Sequence, residues 1–101
     1  MLYRPNGETS VVMTHWSVRE VDIEGLDSST RHLCGVVGVD GRVCSPIEHF
    51  DPEKRSFVTR SGKVYQVAEE PGYNNNAEYV WQNWCQMNGV DGWVDVTDDY
   101  R

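Results

Sequence analysis

His32 and His49 fall symmetrically about Asp40-Gly41, and Cys34 lies two residues beyond His32. A tight reversal at Asp40-Gly41 would set the two imidazoles opposite each other with the thiol on the same face. Closely grouped nitrogen and sulfur donors of this kind are what zinc requires. No Cys-x-x-Cys or His-x-x-x-His pair accompanies them, and no fourth ligand is evident. The expectation is therefore no metal and no cofactor, with sheet histidines and a buried cysteine in ordinary structural roles. The same neighbourhood, His32, Cys34, His49 and Tyr65 in the mouth of a curled sheet, is the alternative site for a small molecule or a metal.

Other reactive types are present without the patterns that make them work. The register about Asp40-Gly41 puts Cys34 and Cys44 on opposite faces, which rules out a disulfide between them. Nothing supplies the elbow, helix N-terminus or orienting partner that would activate a thiolate beside a histidine. Asp91, Asp95, Asp98 and Asp99 lack the spacing of a calcium loop, and Arg60-Ser61-Gly62-Lys63 is too short for a phosphate loop. The sequence predicts a protein that is not an enzyme.

What remains is charge and aromaticity. Residues 1–64 hold nine acids against eight bases, whereas residues 65–101 hold seven acids against Arg101 alone, so almost all of the net −7 lies in the second part. Such a surface repels phosphate backbones, which argues against nucleic acid, and it suits a basic protein partner. Aromatic anchors inside a charged rim are typical of docking surfaces. The predicted partner-binding residues are Glu69, Glu70, Tyr73, Tyr79, Asp91, Trp93 and Asp95. The expected function is a small non-catalytic interaction module, with pairing of a second copy along an exposed strand edge as a further option.

These residues need elements to position them. Residues 11–23 are rich in β-branched and aromatic types, and Trp16 and Val18 alternate in one phase while Val21 and Ile23 alternate in the other. That change predicts a bulge near Arg19 and Glu20. Residues 25–29 read as a turn. Residues 31–39 and 42–50 flank Asp40-Gly41, a dipeptide that suits the positive φ of a type I′ hairpin. Val39 would then face Arg42. Asp51-Pro52-Glu53-Lys54 is a second turn and Ser61-Gly62 a third.

If Phe50 faces Arg55 and Arg60 faces Lys63, then Cys34, Val36, Val43, Ile47, Val58, Tyr65 and Val67 share one face, and Val37, Cys44, Phe57 and Val64 share the other. A three-residue loop at residues 60–62 would exchange Phe57 for Val58. Asn74-Asn75-Asn76 offers N-cap chemistry for a helix over about 76–88, with Gly89 as its C′ residue. Ala77, Val80, Trp81, Trp84 and Cys85 form its apolar face, with Glu78, Gln82 and Gln86 on the other. Gly38-Val39-Asp40-Gly41 recurs as Gly89-Val90-Asp91-Gly92, a reuse of turn chemistry. Trp93, Val94 and Val96 read as a short last strand, and residues 98–101 as a frayed end of the acidic tail 90–101.

The predicted architecture is a single α+β domain in which a curled antiparallel β-meander of about five strands, spanning about 11–68, packs against one C-terminal helix. A chain that is 39% hydrophobic and 11% aromatic has ample material for one core. Residues 1–6 carry no charged and apolar leader pattern, no run is long enough to span a bilayer, and the three cysteines form no framework. A cytoplasmic location with no membrane partner is expected.

From Arg42 to Thr97 the chain resembles a family of short, uncharacterised proteins scattered through proteobacterial and phage genomes. The resemblance is carried by Ser45-Pro46-Ile47, Phe50-Asp51-Pro52, the run Val58-Thr59-Arg60-Ser61-Gly62-Lys63-Val64-Tyr65, Pro71-Gly72, Ala77-Glu78-Tyr79-Val80-Trp81 with Trp84, and Asn88-Gly89-Val90. It covers a little over half of the chain and implies an origin in mobile genetic elements, whose small proteins often bind or inhibit host systems.

Overall fold

A computed structural model describes residues 10–23, 25 and 28–101. The leader reading at residues 1–6, and part of the turn at 25–29, fall outside the described residues. Among these described residues, seven strands, one α-helix and a closing 3-10 turn follow in the order β1 (Ser10–Ile23), β2 (Thr30–Val37), β3 (Asp40–Val43), β4 (Ile47–Asp51), β5 (Ser56–Thr59), β6 (Val64–Val67), α1 (Asn75–Met87), β7 (Val90–Asp95) and Thr97–Tyr100. The fold is α+β, with two strands more than the five expected.

The organising element is β1. Its first residues, Ser10 to Met13, pair in parallel with β6, while the stretch from Ser17 onward pairs antiparallel with β2 on one side and β7 on the other. The sheet order is therefore β3-β2-β1-β6-β5-β4, with β7 also on β1. One expectation is corrected here: the sheet is mixed, not wholly antiparallel, and the N-terminal strand lies at its centre. Pairing between residues 10–13 and 64–67 joins distant segments, and no turn motif announces it.

A bulge does interrupt β1, but between Thr14 and Ser17, where His15 takes a left-handed backbone (φ 49°). The extra residue lets Met13 and Trp16, three apart, face the same core. Past that point the alternation runs unbroken: Val18 joins the first core and Val21 the second. The phase change inferred near Arg19 and Glu20 was two faces of one regular strand.

The β2–β3 reversal also differs. Val37 faces Asp40 and Cys34 faces Val43, so the central residues of the turn are Gly38 and Val39, not Asp40 and Gly41. Gly38 supplies the positive φ (65°) at the first central position, the chemistry of a type II′ turn. Gly41 is needed for another purpose. A Cβ there would stand 2.7 Å from the Asn76 carbonyl oxygen, because the first turn of α1 seats directly on β3. The displacement is by two residues, so Cys34, Val36 and Val43 keep their common face. Pairing stops at Val43, and β4 crosses to the far edge of the sheet, taking His49 with it.

On β4–β6 the register is Phe50 to Phe57 and Phe57 to Tyr65. The wider first turn holds Arg55 in a left-handed conformation (φ 53°), and the Asp51 carboxylate accepts from the Glu53 and Lys54 amides. The three-residue alternative at 60–62 is the one found: Phe57 is buried and Val58 half-buried.

Each face of the sheet carries a core of its own. Met13, Trp16, Val18, Leu33, Cys44, Phe57, Tyr65 and Val67 make one core. Val21, Cys34 and Val36 make the second with Ala77 and Trp81 of α1. The helix forms where its polar flank predicted: the Asn74 side chain accepts from the Ala77 amide at 3.0 Å, and Gly89 (φ 64°) ends it. The final residues do not fray. The Thr97 hydroxyl accepts from the Val18 amide at 3.0 Å, and the Tyr100 ring meets Phe50 edge-on at 5.2 Å. Among the described residues no helix is long and apolar enough to cross a membrane.

Candidate functional site

Arg19 points from β1 toward α1, on a strand face it shares with Ser17, Val21 and Ile23. A guanidinium buried there needs every donor satisfied. Nε donates to the Ser17 hydroxyl (3.1 Å), NH1 donates to Glu78 Oε1 (3.1 Å), and NH2 donates to the second oxygen of the same carboxylate. The flat faces are used as well. The guanidinium carbon lies 4.9 Å from the Trp81 ring centre and 4.7 Å from that of Trp93, and the two rings meet edge to face at 5.3 Å. Arg19 thus sits in the angle between two indoles, a cation–π arrangement that holds Trp93 in place although the ring remains 44% exposed.

Beside this cluster a cleft of about 440 Å³ opens between α1 and β7, lined by Glu78, Gln82, Cys85, Val90, Asp91 and Trp93 among others. Its lining combines the indoles of Trp81 and Trp93 and the Val90 side chain with two carboxylates, Asp91 and the Glu78 that Arg19 engages. Burial pushes the Cys85 thiol up, and among the described residues nothing beside it activates it for catalysis, the Arg19 charge offsetting only part of that shift. Trp81 is packed so tightly that its indole N–H finds no partner among the described residues.

The predicted residues divide between surfaces. Asp91 and Trp93 line the cleft, and Asp95 follows on the same strand, one carboxylate oxygen accepting from the Thr97 amide at 2.8 Å. Tyr79 is exposed on α1, next to Glu78. Glu70 belongs elsewhere: it pairs with Arg101 (3.3 Å) at a second cleft of about 250 Å³ beside Phe50 and Tyr100. The Glu69 carbonyl accepts from Trp16 Nε1 and from Arg55, so that residue serves the fold through its backbone. Tyr73 is exposed in the segment between β6 and α1. Sequence reasoning missed Arg19. The available signal was a lone arginine in phase with Val21 and Ile23 on a strand.

The alternative site does not assemble as expected. His49 is exposed on β4, while His32 is buried on β2. Both His32 nitrogens are engaged. Nδ1 must donate to the Cys44 carbonyl (2.8 Å), which leaves Nε2 to accept from the Thr30 hydroxyl (2.7 Å), and the ring packs on Trp84 at 4.6 Å. Cys34 is buried with its thiol pushed up to about 11 by desolvation. No group of three or more metal-binding side chains occurs among the described residues. His32 does border a shallow cleft of about 290 Å³ with Arg60 and Trp84.

Searches with this chain find no matching protein-family model, no matching curated protein and no matching solved structure.

Proposed function

We propose that this protein is a non-catalytic interaction module that docks a basic protein through the α1–β7 cleft. The observation that carries this reading is Trp93: an exposed indole, braced by Arg19 and Trp81, with Asp91 and Asp95 on the same strand. An aromatic anchor already ordered before binding loses little entropy on contact, and acidic neighbours steer and select a cationic partner. The resemblance to mobile-element proteins extends the reading to an inhibitor or modulator of a host protein.

Capture of partners at low and high salt tests this. Reversing Asp91 and Asp95 to lysine should abolish salt-sensitive capture, whereas Glu70→Lys, the same kind of charge change at the other cleft, should not. A specific partner retained equally by all variants would exclude the cleft.

A further inference from the structure

The open side of β7 extends that reading to a mode of recognition. The Val96 amide donates to the Val18 carbonyl at 2.9 Å, and these residues continue the register in which Asp95 faces Arg19 and Val94 faces Glu20. In an antiparallel ladder, hydrogen-bonded and non-bonded pairs alternate. Val94 and Gly92 therefore turn their main-chain groups toward β1, and Trp93 and Asp95 turn theirs away from it. Among the described residues no strand lies on that outer side of β7. The side chains alternate too. Trp93 and Asp95 face α1 along with Arg19 and Val21, while Val94, 56% exposed, lies on the opposite face with Gly92, where nothing stands within 4 Å of where a Cβ would be.

We propose that an extended, lysine- or arginine-bearing segment of a partner protein adds to this edge as a further strand, a proposal that rests on the docking reading above. Main-chain pairing to Trp93 and Asp95 supplies affinity, and the alternation of side chains supplies selectivity. Every second residue of the incoming strand lies over the cleft, its aliphatic stem on Trp93 and its cation near Asp91 or Asp95. The intervening residues meet Val94 and favour small apolar types. A second copy of this chain is a poor occupant. Two β7 strands paired antiparallel about Trp93 would set Asp91 of one against Asp95 of the other, and like charges directly opposite are unfavourable.

The probe is a short peptide alternating lysine and valine, compared with the same peptide N-methylated at alternate residues so that charge is kept and main-chain pairing lost. With isotope-labelled protein, the first peptide should shift the Trp93 and Asp95 amide resonances and slow their solvent exchange by roughly tenfold at ten times its Kd, since only the unoccupied edge exchanges. The N-methylated peptide should do neither. Equal binding of both without protection of those amides overturns strand addition while leaving acidic docking intact. Failure of both peptides to bind also overturns it, and the charge-reversal capture decides the wider reading on its own.

Discussion

Gly41 on β3 lies directly beneath Asn76 in the first turn of α1, so close that a side chain of any size would meet the helix backbone. Gly92 on β7 is the counterpart in sequence, the same position of the repeated Gly-Val-Asp-Gly, yet nothing lies within 4 Å of where its Cβ would be. Gly41→Ala should destabilise by about 1–3 kcal/mol through overpacking, and Gly92→Ala should stay within about 0.5 kcal/mol of the parent. Urea unfolding of the two variants checks the contrast; equal losses would contradict the seating of α1 on β3.

The Arg19–Glu78 pair is almost wholly withdrawn from water, with side chains 7% and 19% exposed. Removing one partner leaves the other charge buried, so Arg19→Met or Glu78→Leu alone should cost about 3–5 kcal/mol. The double substitution should cost less than either single change. A double-mutant cycle by chemical denaturation measures this. Additive losses would show that the two groups do not depend on each other.

Burial holds the His32 imidazole below its usual value, outweighing the Cys44 carbonyl contact, and the Arg60 charge lowers it further. The unfolded chain gains a proton near pH 6.5 while the folded protein still excludes it. The stabilising contribution is therefore complete above that pH and declines as the solution is acidified toward the folded value. Thermal midpoints should fall between neutral and mildly acidic pH. His32→Gln should flatten that dependence, even though it loses about 1–3 kcal/mol at neutral pH through imperfect replacement of the two hydrogen bonds.

The thiols should react in a definite order. Desolvation pushes Cys34 up to about 11 and Cys44 up to about 12, and both are buried, whereas Cys85 is half-buried in the α1–β7 cleft. Alkylation followed by mass spectrometry should modify Cys85 first by a wide margin. A bound partner should protect it. Early labelling of Cys34 would mean that α1 lifts readily from the sheet.

Local chemistry made much of this molecule readable. Asn74 and Gly89 bound α1, and Trp81 and Ala77 mark its buried face, because each signal lies within a few residues of what it determines; of the seven residues expected to bind a partner, Asp91 and Trp93 line one cleft while Glu70 lies at another. The failures have the opposite character. Asp40-Gly41 is a strong hairpin signal, but Gly38 competes for the turn and wins, since Gly41 is required where α1 approaches. His32 and His49 separate because Pro46 and its neighbours carry β4 away from β3. Arg19 went unnoticed because its partners, Glu78, Trp81 and Trp93, all lie far along the chain, and only the assembled fold shows why a cation sits on an apolar strand.

Because β1 belongs to both halves of the sheet, the nascent chain meets an awkward order of events. The strand is made well before β6 and β7, which close its other side. Until then a long apolar strand waits with one side unpaired, exposed to stray partners or to chaperones. Productive folding is thereby deferred until β7 has been made, and chains cut short before β6 should be insoluble in place of forming a working half.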